Sequence, residues 1–170
     1  MIPTKFSSGL RPKSMRRHTQ APIAAKKPHD VIPPLSDDAI RVVPLGGVEE
    51  IGKNMTVIEM GEDIIVVDAG IQFTDDDTPG IDYILPNIKY LEERKGKIRA
   101  LVITHGHLDH IGGIPYLVTR LGNPPIYTRE FGALLIKKRQ AEFPHLPPLD
   151  LRIVEAGDTA ITLSPNFKIR

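Results

Sequence analysis

The sequence predicts a layered α/β fold. Short β-branched runs separated by glycine-bearing turns open the folded part, and runs of helical periodicity then alternate with further strand-like runs. One of the latter, IRALVIT (98–104), is apolar almost throughout. Strands mixed with helices in this way build a sheet protected by helices on at least one face. A run apolar on both sides belongs inside that sheet.

IRVVPL (40–45), NMTVIEM (54–60) and DIIVVDA (63–69) read as three successive strands, with Met60-Gly61-Glu62-Asp63 as the hairpin turn between the second and third. Ile84, Leu85, Ile88 and Leu91 then recur at helical spacing, and Pro86 suits a first helical turn. That helix is expected to end near Lys95-Gly96. After the strand at 98–104, a second helix is expected from about Gly113 through Leu121, stopped by Gly122-Asn123-Pro124. PIYT (125–128) gives a short strand and residues 129–142 a helix; LRIVEAG, TAITL and FKIR supply three more strands. The expected order is β-β-β-α-β-α-β-α-β-β-β. FKIR closes the sequence in mid-pattern, without a turn or polar terminus, so the fold is expected to continue beyond it.

A chain of 170 residues is long enough for one domain with a core and too short for two large ones. No run approaches the roughly 20 apolar residues that a membrane-spanning helix needs. Cysteine is absent, which excludes disulfides and thiolate metal sites and fits a reducing compartment. With no secretory apolar core either, the protein is expected in the cytoplasm.

The net charge of +1 hides an asymmetry. Residues 1–29 carry seven of the 22 Lys and Arg and no acid, leaving 15 basic against 21 acidic residues in the body, a balance of −6. Residues 1–38 read as a disordered basic arm and linker: prolines are scattered, large apolar residues are few and periodicity is absent. Pro33-Pro34 marks the linker into the folded part. The arm is a solubilising extension, a contact for a polyanion such as nucleic acid, or an organelle transit peptide.

The chemistry is concentrated in ITHGHLDHIGG (103–113), which holds three of the six histidines and an aspartate within six positions. The cluster follows a buried strand and precedes a helix, and ligand sites of α/β folds lie at such carboxyl ends. Imidazole and carboxylate suit zinc, manganese or iron. In an extended segment His105 and His107 project to the same side and can grip one metal. Asp109 and His110, past the bend, can grip a second. Gly112-Gly113 remove side chains where backbone must pass close to the site. Asp75-Asp76-Asp77 reads as an acidic exposed loop and His145 as a loop residue, while His18 and His29 belong to the arm.

HxHxDH after a strand resembles the signature of the metallo-β-lactamase superfamily. PLGGVEEIGKNM (44–55), VVDAGIQF (66–73), PGIDYILPNIKYLEE (79–93) and THGHLDHIGGIPYL (104–117) narrow the resemblance to the N-terminal part of the ribonuclease J family, in the β-CASP subgroup. The resemblance implies a four-layer αββα sandwich, of which residues 39–170 form only the N-terminal part. It implies that His105 and His107 bind one metal ion and that Asp109 and His110 bind the other. The ions are expected to be zinc, with manganese as the alternative. Asp68 matches the aspartate that orients the metal loop; as a bare sequence feature it is equally a turn-forming residue of a D-A-G corner. Gly46 and Gly47 are candidate phosphate contacts, against the simpler reading of a β-turn.

By the same resemblance the activity is 5′-to-3′ exonucleolytic and endonucleolytic RNA hydrolysis in RNA maturation and decay, by a hydroxide that two metal ions activate. The partner is single-stranded RNA with a 5′-monophosphate, and the full-length protein is a homo-oligomer. Further ligands, the β-CASP domain and a dimerisation region follow later in such proteins. The chain alone is therefore expected to be inactive. The competing readings are a DNA-directed or small-molecule hydrolase of the superfamily, and a non-catalytic metal- or RNA-binding module.

Overall fold

The computed structural model describes residues 32–36, 38–74, 80–157 and 159–170. Most of the basic arm, including His18 and His29, and Asp75-Asp76-Asp77 lie outside the described residues. Pro34–Arg170 form one unit.

The first three strands are β1 (Ile40–Gly46), β2 (Met55–Met60) and β3 (Asp63–Val67), as expected, and they pair antiparallel in order as a meander. Met60 pairs with Asp63 across the turn, and Gly61 takes φ +55° at the first central position. This is the placement a type II′ hairpin demands, because an L side chain there would clash. A two-residue ladder of β4 (Gln72–Phe73) and β5 (Tyr83–Ile84) follows, then α1 (Lys89–Glu92) and β6 (Ile98–Val102). Next come α2 (Leu108–Ile111), α3 (Ile114–Leu117), β7 (Ile126–Thr128), α4 (Glu130–Gln140), β8 (Leu151–Ile153), β9 (Ile161–Thr162) and β10 (Lys168–Ile169). The main sheet runs β1-β2-β3-β6-β7-β8; β6, β7 and β8 add parallel to β3 in turn.

Two helices are shorter than their spacing predicts. Ile84 belongs to β5, and α1 begins only at Lys89. Pro86 restricts its predecessor to extended backbone, which keeps Leu85 out of a helix. The Asn87 side-chain carbonyl accepts the Lys89 N–H at 3.1 Å and starts the helix afresh. Ile88 and Leu91 are buried as expected, so the apolar spacing recorded burial rather than a continuous helix. The helix expected over 113–121 is α3 followed by turns. It stops where foreseen, with left-handed Gly122 and Asn123 (φ +89° and +55°) and the Asn123 N–H returning to the Val118 carbonyl.

Alternation along the strands sorts two cores. Val57, Ile64, Val66 and Leu101 pack with Leu91, Ile114, Leu117 and Ile136 of the helical segments. Ile65, Ala100, Tyr127 and Val154 face the opposite side, where Ile161, Leu163, Phe167 and Ile169 of the β9–β10 ladder and its turn cover them. That ladder is clipped to the β2–β3 turn by Asn166, whose amide donates to Asp63 Oδ2 (2.9 Å) and the Met60 carbonyl (3.3 Å). Burial pushes the Asp63 carboxyl up, but hydrogen bonds from Arg99, Ser164 and Asn166 and the Arg99 charge hold it below its usual range. On the helical side, Glu59 of β2 is buried, accepts from the Tyr90 hydroxyl and lies 3.1 Å from Arg41, which ties α1 to the meander.

Candidate metal centre

β3 and β6 are parallel neighbours, so the residues after Val67 and after Val102 emerge at one end of the sheet. Asp68 leaves β3 with φ +62°, a left-handed turn that Asp tolerates better than most residues. The turn swings its buried carboxylate across to the neighbouring strand's exit. There Oδ1 accepts the Thr104 N–H (2.9 Å), and Thr104 Oγ1 lies 3.0 and 2.9 Å from Oδ1 and Oδ2. Oδ2 also lies 2.8 Å from His110 Nδ1. An ionised carboxylate only accepts, so Nδ1 carries the proton and His110 Nε2 keeps its lone pair. Asp68 thus forms the corner and, from it, contacts both Thr104 and His110.

The motif is not a plain loop. His107 is extended (φ −72°, ψ 151°), but Leu108–Ile111 make the helical turn α2, with the N–H groups of His110 and Ile111 both reaching the His107 carbonyl at 2.9 Å. The turn brings His110 back beside His105, with ring centroids 3.9 Å apart. His105 Nε2 and His107 Nδ1 approach to 3.2 Å, on one side of the chain as alternation predicts. His110 Nε2 and Asp109 Oδ2 are 3.3 Å apart. The four expected donors therefore gather as two adjoining pairs. Among the described residues no three His, Asp or Glu side chains form a single ready-made cage.

Imidazole nitrogens with a carboxylate oxygen fit zinc or manganese. The proton-bearing Nδ1 of His110, held by Asp68, leaves the opposite nitrogen available, the usual carboxylate–histidine arrangement of a metal ligand.

Backbone hydrogen bonds clamp α2 to the segment after β3. Ala69 N–H donates to the His110 carbonyl (2.8 Å), Ile71 N–H to that of Leu108 (3.1 Å) and Gly113 N–H to that of Ala69 (2.8 Å). A Cβ on Gly70 would overlap the Asp109 carbonyl, and one on Gly113 would lie 2.8 Å from the Gly70 carbonyl. Gly112 and Gly113 thus serve the close approach expected of them. Gly70 does so too, without having been singled out.

Asn54 and Thr104 are further residues that the sequence did not reveal as part of the site; the Asn54 side chain reaches α2. Its Nδ2 lies 3.0 Å from both the Asp109 carbonyl and Asp109 Oδ2, and 3.2 Å from His110 Nε2. Its backbone N–H donates to the Asp109 carbonyl as well, at 3.0 Å. Asn54 directly precedes β2, and nothing in its local sequence marks it as part of the site. Gly46 and Gly47 stand behind it: a Cβ on Gly46 would strike Lys53, and one on Gly47 (φ +82°) would strike the Asn54 side chain. The Gly47 N–H points at Glu50 Oε1, 3.3 Å away, and Gly47 makes room for Asn54, while Gly46 makes room for Lys53. His145 sits after α4, its ring 6.4 Å from that of Phe143.

Comparisons with known proteins bear on this arrangement. Ribonuclease J of Mycoplasma pneumoniae is 48% identical over 129 residues, covering 76% of this chain and 22% of that protein. Ribonuclease J of Mycoplasma genitalium is 42% identical over 129 residues, again 76% of this chain and 22% of the relative. The chain thus spans about a fifth of the length of these curated relatives. Among solved structures, Rm3 metallo-β-lactamase aligns with 73% of this chain and 45% of its own, at a TM-score of 0.46 and 20% identity. The metallo-β-lactamase superfamily profile matches residues 48–165, from the loop before β2 through the metal motif to β9. On that match the chain belongs to the metallo-β-lactamase superfamily.

Proposed function

We propose that these residues are the N-terminal portion of a metal-dependent ribonuclease that hydrolyses RNA phosphodiesters from the 5′ end and internally. The observation that carries the reading is the gathering of His105, His107, Asp109 and His110 at one end of the sheet, in a chain similar to ribonuclease J. His105 with His107 would hold one divalent ion and Asp109 with His110 a second; zinc suits both donor pairs and manganese is the alternative. When bound, such ions lower the pKa of water and neutralise charge on phosphate oxygens. Asp68 fixes the tautomer of His110, Thr104 fixes Asp68, and Asn54 holds the Asp109 carboxylate. The substrate is single-stranded RNA bearing a 5′-monophosphate, and the full-length enzyme works as a cytoplasmic homo-oligomer.

Two protein donors per ion fall short of the three protein ligands that catalytic zinc sites use. The purified full-length protein is expected to hydrolyse 5′-monophosphorylated RNA only with metal present, and the 170-residue chain alone is expected to be inactive. Turnover by the chain alone would sink the divided-site reading. Degradation of single-stranded DNA with RNA spared would instead remove the ribonuclease assignment.

Asp68 gives a graded test. In the full-length protein, Asp68→Ala should weaken metal binding by about 10–100-fold, the usual effect of losing a ligand's hydrogen-bond partner. Asp68→Asn keeps an acceptor for the Thr104 N–H and tolerates the left-handed backbone, so it should lose less. Competition with a chromophoric chelator reads both. Equal affinity in Asp68→Ala and the parent would remove Asp68 from the metal site.

A further inference from the structure

Beside the metal motif lies a cavity of about 610 Å³ that the chemistry above does not use. It is lined by Ile51, Gly52, Ile71, Gln72, Phe73 and Asp109. Ile51 is 90% exposed and Phe73 62% exposed, so two large apolar side chains stand in solvent next to a candidate metal ligand. Burying such side chains is favourable, and the fold forgoes that gain twice here.

The loop that presents Ile51 is held in place. Glu49, Gly52 and Lys53 are all left-handed (φ +57°, +108° and +40°). Lys53 N–H donates to the Ile71 carbonyl at 2.8 Å, and Gly52 lies so close to β4 that a Cβ would come within 2.8 Å of Gln72 Cβ. The loop therefore lies directly against the strand that carries Phe73, and both border the cavity.

We propose that this cavity is a base-stacking subsite, in which Phe73 and Ile51 receive the nucleobase next to the phosphate held at the metal motif. The inference rests on the ribonuclease reading above and adds a subsite to it. Three observations select a base. Asp109 lines the cavity, so its occupant reaches the metal centre and must leave that centre open to substrate. Among the described residues of the lining, the one charged group is that carboxylate, which repels phosphate and tolerates an uncharged ring. Single-stranded nucleic acids are held on aromatic faces in this manner, with little sequence preference because every base offers a π-face. Gln72, with one donor and one acceptor group, is the polar neighbour for a base edge.

The test compares an octanucleotide with the same strand lacking one base, bound in EDTA to the full-length protein and its variants, with both RNA and DNA strands. Phe73→Ala should weaken binding of the intact strand on the order of ten-fold, the usual effect of removing one stacking partner. It should leave binding of the best-placed abasic strand unchanged. Phe73→Trp should restore the intact strand, and Ile51→Ser should weaken it in the same selective way. Equal loss for intact and abasic strands, or no loss, overturns the proposal. So does a change of oligomeric state in Phe73→Ala with nucleic-acid binding intact, since a protein surface then covers the patch. Binding of DNA but not RNA would defeat the ribonuclease reading, and the abasic comparison on DNA would still decide the subsite.

Discussion

His107→Ala in the full-length protein is expected to abolish RNA hydrolysis while leaving the fold untouched. The His107 side chain is exposed and caps nothing, and the helical turn after it hangs on the backbone carbonyl, which alanine retains. Surface substitutions of this sort change stability by about 0.5 kcal/mol or less. The ring nitrogen, however, is one half of the donor pair that His105 completes at 3.2 Å. If the proposed ion is held by that pair, it would supply several kcal/mol of charge stabilisation, and its loss should lower kcat about a thousand-fold or more. Metal content measured by atomic absorption should fall by one ion per chain, with the far-ultraviolet circular dichroism unchanged. Full activity in His107→Ala would exclude the histidine as a ligand.

Gly70→Ala is expected to fail differently, by damaging the frame that carries the donors. The added methyl would overlap the Asp109 carbonyl and lie 2.9 Å from the Asn54 nitrogen. Both are backbone atoms, joined to each other by the 3.0 Å Asn54 N–H to Asp109 hydrogen bond. Neither can yield without breaking that bond or the one from Ala69 to the His110 carbonyl. Overpacking costs about 1–3 kcal/mol. An unmade buried hydrogen bond costs about as much again. The combined loss is a large part of the ~5–15 kcal/mol that stabilises a domain. Chemical denaturation should show a sharply lowered midpoint, or the protein should fail to fold. Gly96→Ala is the control: no atom lies within 4 Å of its added carbon, and the midpoint should barely move.

The strands were the most legible part of the sequence, because β-branched runs such as DIIVVDA carry both propensity and burial in a few adjacent residues. Helices were less so. Ile84 to Leu91 has helical spacing, yet Pro86 and a two-residue ladder with Gln72 divide the run, and no local pattern announces a partner twelve residues upstream. In the site, the proposed donors were visible because histidines and aspartate crowd one segment. Asn54, Thr104 and Gly70 were not, since their importance arises only when β2, β3 and α2 meet. Asp68 lies between these cases: its type and corner were readable, whereas its reach to Thr104 and His110 follows from β3 and β6 being neighbours in the sheet.

The clamp between Ala69–Gly113 and α2 bears on what happens when metal comes and goes. None of those backbone bonds passes through a metal donor atom. The helical turn is consequently held by the backbone itself, independently of the proposed donor atoms. Ion exchange at the proposed centre would resemble changing a lamp in a fixed socket, with selectivity among divalent ions set by the donors and by cellular supply rather than by refolding of the loop.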